Sequence, residues 1–404
     1  MKHFELTNQQ RKYFGLDSIE SKWTPVILPG DIHRPSSILY FEGNIIKRQI
    51  ISTADKYTEC HFDEKTEKRE ILLPKTTKGK PKKLSASTLE QRRPNGVYLN
   101  ISSEAGVMIA SHTSETTFFD SKWARISPVE SREISQVVAD FISESPKQHL
   151  KEVAGFKLLK RRHQKFKPGD FFRFKIKRDT FGFGRVLMDI AKLRKTSILN
   201  KEHGLNLIMG PPLLVHLYIH EAKSKEIDLA DLINMPKLPS DLMMDNLLLY
   251  GEFEVIGHKP LTEADFEFPI SFGRSIDQRP VVFLQWGLIH LELPIRKFDK
   301  YLVAENPLLP ENSPSKRNTN PYGYYAIGFR PRYDTQSILK AIKNGHSYAF
   351  EQDRHFRSIF DLRNPLNASI KEEIFNKFGL NPKKSYVENC ITAKTRSMLE
   401  VLNN

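Results

Sequence analysis

The sequence predicts an α+β protein: two β-rich units joined by a basic helix, with a helical C-terminal extension. Three observations predict this. Short runs of alternating apolar and polar residues, bounded by Gly, Asn and Pro, recur over 36–119 and again over 171–294, the signature of half-buried strands. Between them, 147–163 (KQHLKEVAGFKLLKRRH) has apolar residues spaced by three and four, as on one face of a helix. After 300 the alternation gives way to helical spacing. At 404 residues the chain exceeds one ordinary core, and the divisions expected are 1–145, 146–164, 165–300 and 301–404.

Taken in order, Asn8–Tyr13 reads as a short polar helix. SSILYF (36–41) and IIKRQIIS (45–52) flank Gly43 and Asn44, which supply the positive φ of a tight reversal, so a hairpin is expected. YTECHF (57–62) and REILLP (69–74) around EKTEK read as a second hairpin. KTTKGKPKK (75–83) is a basic loop broken by Gly79 and Pro81. Strands follow at 96–102, 107–112 and 116–119, then a helix over 133–142. In the joining helix, Leu150, Val153, Ala154 and Leu158 form the apolar stripe. The second unit opens with FFRFKIK (171–177), GRVLMDI (184–190) and LLVHLYIH (213–220). It continues with a helix near 225–234 and strands at 251–257, 281–286 and 288–294. In the extension, 305–325 reads as an irregular connector and 335–345 as a helix ended by Gly345. SIKEEIFNKFGL (369–380) is a helix with Ser369 and Glu372 as its capping box and Gly379 as its end, and 383–401 is a last helix.

Composition narrows the function. No apolar run reaches the ~18–20 residues of a membrane span, and no leader pattern opens the chain, so no membrane partner is expected. Cys60 and Cys390 can make neither a disulfide framework nor a cysteine zinc box, and read as idle thiols in a reducing cytoplasm. Net charge is +14, but it is uneven: 155–178 holds ten Lys and Arg against one acid, whereas 179–294 holds 11 against 16. His216 and His220, on one strand, stand ~13 Å apart at 3.3 Å per residue. One zinc cannot bridge them, so they read as surface or lightly buried, and no metal is expected. No nucleophile elbow, HExxH or phosphate-binding loop is present, so neither an enzyme nor a cofactor is expected.

The segment KFKPGDFFRFKIKRDTFGFGRVLMDI (165–190) is similar to the opening of the immunity protein 26 family of bacterial polymorphic-toxin systems. The resemblance rests on Gly169 and Asp170 entering a strand, followed by Phe181-Gly182-Phe183-Gly184-Arg185-Val186-Leu187. The strand at 213–220, GEFEVIGHKPL (251–261), FPISFGRSI (268–276) and FLQWG (283–287) fit it as well. ELTNQQRKYFGL (5–16) resembles the leader of long members. The likeness covers about 5–290 and leaves the tail after 300 unassigned. It implies an α+β fold and a non-catalytic protein that neutralises a cognate toxin by binding it.

From the residues themselves, Gly169 after Pro168 turns the chain into a strand, and Asp170 can accept a turn N–H. Gly182 and Gly184 permit a bulge or a close backbone approach. Arg185 can pair with Asp170 across the hairpin as scaffold, or contact the toxin itself. For the toxin surface the candidates are Glu252, Glu254, Glu263, Asp265 and Glu267, from an acidic run over 226–267 that would complement a basic toxin or is merely a solvated face. Glu252 and Glu254 are expected on one strand face. Trp286 and Phe283 read as core. The rival partner is nucleic acid, held by Lys157, Lys160, Arg161, Arg162, Lys165 and Lys167 with the loop 75–83, although a solvated basic face is the plainer reading.

Overall fold

The computed structural model describes residues 4–121, 131–223, 226–274, 279–297 and 361–402. The expected connector at 305–325 and helix at 335–345 lie outside them. The fold is α+β, in two units: Met1–Gln164 with Leu249–Glu252, and Lys165–Leu248 with Phe253–Asn404.

The first unit opens with helix α1 (Asn8–Tyr13), closed by a Thr7/Gln10 capping box. An antiparallel meander follows: β1 (Thr24–Leu28), β2 (Ser37–Glu42), β3 (Ile45–Ser52) and β4 (Lys56–Glu67), then β7 (Asn95–Ser102), β8 (Gly106–Ser111) and β9 (Thr116–Asp120). Short β5 (Ile71–Leu72) and β6 (Lys82–Lys83) branch from β4, ahead of α2 (Ala86–Glu90). The hairpin at Gly43–Asn44 forms as the sequence requires, with Gly43 at φ 59°. The second reversal differs. The first four residues of EKTEK are strand, and the turn falls at Lys68 and Arg69, both at positive φ, because β4 runs on to pair Thr66 and Glu67 with β5.

The leader 5–16 is bound by buried charge. Arg11 reaches Glu59 of β4 at 2.9 Å and Glu5 at 2.9 Å, and Tyr57 donates to Glu59 at 2.5 Å. Burial alone would disfavour the cation, but Glu59 holds the Arg11 pKa above its ordinary value. Helices α3 (Ile134–Ser143) and α4 (His149–Lys157) supply Val137, Val138, Phe141 and Phe156 to the same core as Phe14 and Leu99. The basic helix is therefore shorter than 147–163 and is packed in the first unit. Its buried side is His149, Val153 and Phe156, whereas Leu150 and Leu158 face outward. Gly15, at φ 71°, makes room for Val153, since a Cβ there would stand 2.8 Å from Val153 Cγ1.

The second unit is built on a five-stranded antiparallel sheet of β10 (Asp170–Lys177), β11 (Thr180–Asp189), β12 (Pro212–Ala222), β13 (Asp241–Met244) and β14 (Glu254–His258), in the order β13-β12-β11-β10-β14. Short helices α5 (Ile190–Leu193), α6 (Leu229–Leu232) and α7 (Asn246–Leu249) connect them. On one face Phe172, Phe174 and Ile176 pack with Val186, Val215, Leu217 and Phe253. Gly184 lies opposite Phe172 and Gly182 opposite Phe174, so each glycine leaves space for a ring. The β11–β12 register shifts between them, so close approach and a local irregularity coexist.

A second sheet, β15 (Ile270–Arg274), β16 (Val281–Trp286) and β17 (Ile289–Pro294), is covered by α8 (Ala368–Lys377) and α9 (Tyr386–Thr392), followed by α10 (Met398–Leu402). The described part of the tail is thus integral to the second unit. Trp286 packs there against Phe375 and Tyr386. Two expectations change. The α8 N-cap is Asn367, with no side-chain cap bond, so Ser369 and Glu372 lie inside the helix. The last helix is two helices, parted at Lys394 with φ 55°, and the capping box there is Ser385 with Glu388.

A Cβ on Gly184 would stand 2.4 Å from Phe172 Cζ and 2.8 Å from the His216 carbonyl oxygen. Gly184→Ala is expected to cost about 1–3 kcal/mol in urea unfolding, the usual penalty of overpacking. Adding Phe172→Leu should recover part of that loss.

Candidate functional site

Three of the residues singled out in 165–190, Gly169, Asp170 and Arg185, converge on one stretch, 258–265. The reason lies in the pleat. Arg185 of β11 stands directly opposite Phe171 of β10 and His216 of β12, so these three share a face. Asp170 precedes Phe171 and points to the other face. The expected Asp170–Arg185 pair therefore does not form. Asp170 accepts from His258 Nδ1 at 2.7 Å and from the Lys167 N–H at 2.9 Å. Gly169, at φ 94°, accepts the Lys259 N–H and leaves no room for a Cβ, which would be 2.5 Å from the Lys259 carbonyl oxygen.

Arg185 is fully buried. Its Nη1 meets Asp265 Oδ1 at 2.6 Å, and its Nη2 donates to the carbonyls of Lys259 and Pro260 at 2.9 and 3.1 Å. The guanidinium carbon sits 4.7 Å from the Phe171 ring centre. Asp265 also accepts from the Thr262 N–H and hydroxyl. Gly169, Asp170 and Arg185 together form a clasp that fixes the end of edge strand β14 and the turn after it. Around this clasp, His258, Pro260, Thr262, Glu263 and Ala264 are exposed.

His216 and Tyr218 line the same buried face, rings 5.0 Å apart and edge-on. His216 is deeply buried, not at the surface or lightly buried as expected. Its Nε2 and the Arg185 Nε find no hydrogen-bond partner among the described residues. Burial, aided by Lys237 and Arg185, holds the His216 pKa well below the usual histidine value. His220, four residues along β12, lies instead beside Phe183.

The acidic candidates do not form one bare patch. Asp265 is buried in its pair with Arg185. Glu254 pairs with Arg173 at 2.6 Å. Glu267 pairs with Arg363 and accepts the Ser240 N–H at 2.6 Å. Glu252 precedes β14 instead of sharing a strand face with Glu254. It belongs to the first unit, where it accepts the Thr117 N–H at 2.6 Å. Glu263 is exposed. Of the basic candidates, Lys157 is paired with Asp17 at 2.5 Å, and Arg161 with Glu115 at 3.1 Å while it lies over Tyr250. Lys160, Arg162, Lys165 and Lys167 are exposed, as is most of 75–83.

Two predictions follow from this burial. Arg185→Met leaves the Asp265 carboxylate dry and unpaired, so stability should fall by about 3–5 kcal/mol. In urea melts, Arg185→Met with Asp265→Leu should be less damaging than Arg185→Met alone. The second concerns pH. His203 donates Nε2–H to the Leu288 carbonyl and accepts the Leu205 N–H on Nδ1, which fixes a neutral ring. Burial, with the neighbouring His290, lowers its pKa to about 4. The unfolded chain then binds the proton more readily. Its contribution is intact above about pH 6.5 and drains as pH falls toward 4, by up to about 3 kcal/mol. His203→Asn should flatten the measured stability–pH slope in that window.

Residues 167–281, which contain the whole clasp, match the family model described as Immunity protein 26. No curated protein and no solved structure matches the chain. Over the segment 167–281, the chain is similar to the immunity protein 26 family.

Proposed function

We propose that this protein neutralises a cognate bacterial toxin by stoichiometric, non-catalytic binding. The family match over 167–281 carries the reading. The geometry supports a binder. The clasp groups Gly169, Asp170 and Arg185 are engaged with their own chain, so their work is to hold a surface in shape. The surface they hold is the exposed rim at 258–264, with Glu263 and the partly exposed Glu254 and Glu267 beside it. Because Arg173 and Arg363 offset two of those carboxylates, shape and backbone groups contribute to recognition alongside negative charge.

The test is co-expression with the toxin encoded by the adjacent reading frame. Growth rescue and a 1:1 complex are expected. Glu263→Lys, at an exposed position, should weaken capture by about tenfold without lowering Tm, as for a group within a charged rim. Capture that is absent, or that survives a set of charge reversals at Glu254, Glu263 and Glu267, removes the rim from the reading. Tight, steeply salt-dependent binding to DNA or RNA without toxin capture would favour the basic stretch 157–167 and the loop 75–83 instead.

A further inference from the structure

Nine large apolar side chains are strongly exposed among the described residues, and three of them, Leu150, Leu158 and Leu159, lie on α4 and its exit. Leu158 is 81% exposed and Leu150 44%. With exposed Ala154 they recur at every fourth position, which makes a ridge along the helix, on the outward flank next to the side that carries His149, Val153 and Phe156 into the core. Lys151 lies on the same helix, Lys147 just before it and Lys160 and Arg162 just after it, all exposed and without an ion pair among the described residues.

We infer that this ridge is a docking surface for an acidic amphipathic helix of a partner protein, separate from the immunity rim. The partner's class follows from shape and charge. A row of Leu150, Ala154 and Leu158, four residues apart, fits the groove of another helix in the common crossing geometry. The unpaired cations on and next to the helix call for carboxylates beside the incoming apolar row. A second copy of this chain would set the same cations against each other. An anionic bilayer needs an apolar face at least ~100° wide, and here the other apolar side of the helix is spent on the core. Phosphate backbones would be met by the cations but would leave the leucines in water.

The test uses the full chain and three probes. The first is a helical peptide with leucines every fourth position flanked by glutamates. The second is the same peptide with lysines for glutamates. The third is vesicles of phosphatidylcholine with phosphatidylglycerol. Binding to the acidic peptide is expected, weakening as salt rises, with no binding to the lysine peptide or the vesicles. Leu150→Asp with Leu158→Asp should reduce that binding by about tenfold or more while Tm holds, both positions being exposed. Lys151→Glu with Lys160→Glu should reverse the peptide preference. The inference fails if the acidic peptide does not bind, if the leucine variants bind it unchanged, or if the lysine peptide binds equally. It also fails if the vesicles are the better probe, or if the wild-type chain dimerises and the leucine variants do not.

Discussion

The second unit is organised around one desolvated charge pair, Arg185 with Asp265. Taking two such ions out of water costs several kcal/mol per ion, and their mutual attraction offsets this only when every remaining donor and acceptor is met. Here most are. Two backbone carbonyls share the guanidinium, the Phe171 ring lies against it, and the Thr262 N–H and hydroxyl complete the carboxylate. The partners lie far apart in sequence, one in a central strand and the other in the turn beyond the edge strand. A half-assembled sheet would leave one of them dry and alone. The pair therefore penalises partial order and favours all-or-none assembly of the sheet with its rim.

The first unit repeats the device in different hands. Glu59 is completely buried, with Arg11 on one side and Arg48 on the other, and Tyr57 donates to it. The polar leader at 5–16 would have little reason to stay on the sheet by its apolar groups alone, apart from Leu6, Phe14 and Leu16. Glu59 gives Arg11 a destination that only the folded meander contains. In each unit a long-range cation–carboxylate contact, more than local propensity, decides where a peripheral segment rests.

Much of this architecture is written locally and was legible. Gly43 marks a turn because few residues tolerate its positive φ, whereas Asn44 beside it does not need one. FFRFKIK reads as a strand because its phenylalanines and isoleucine alternate, and the glycines of FGFG prove to be the spaces those rings occupy. What stayed hidden depends on parity and distance. Asp170 and Arg185 suit each other as charges, but one residue of offset puts them on opposite faces, and the true partners come from 258 and 265. The acidic run over 226–267 looked like open surface because a sequence does not show that Arg173, Arg185 and Arg363 fold back onto it. The outward row on α4 was hidden for a related reason: spacing by three and four gives a stripe without saying which of two adjacent stripes the core takes.

The chain after 360 supplies Leu362, Ile374, Phe375, Leu380 and Cys390 to the layer over β15, β16 and β17. The stretch shared with the family stops at 281, the first residue of β16. Inheritance and folding thus follow different borders in this chain. A fragment trimmed to the shared stretch would strand β15 beside a missing neighbour, with Ile270 and Phe272 bared to solvent, and would invite aggregation whatever its binding surface could do.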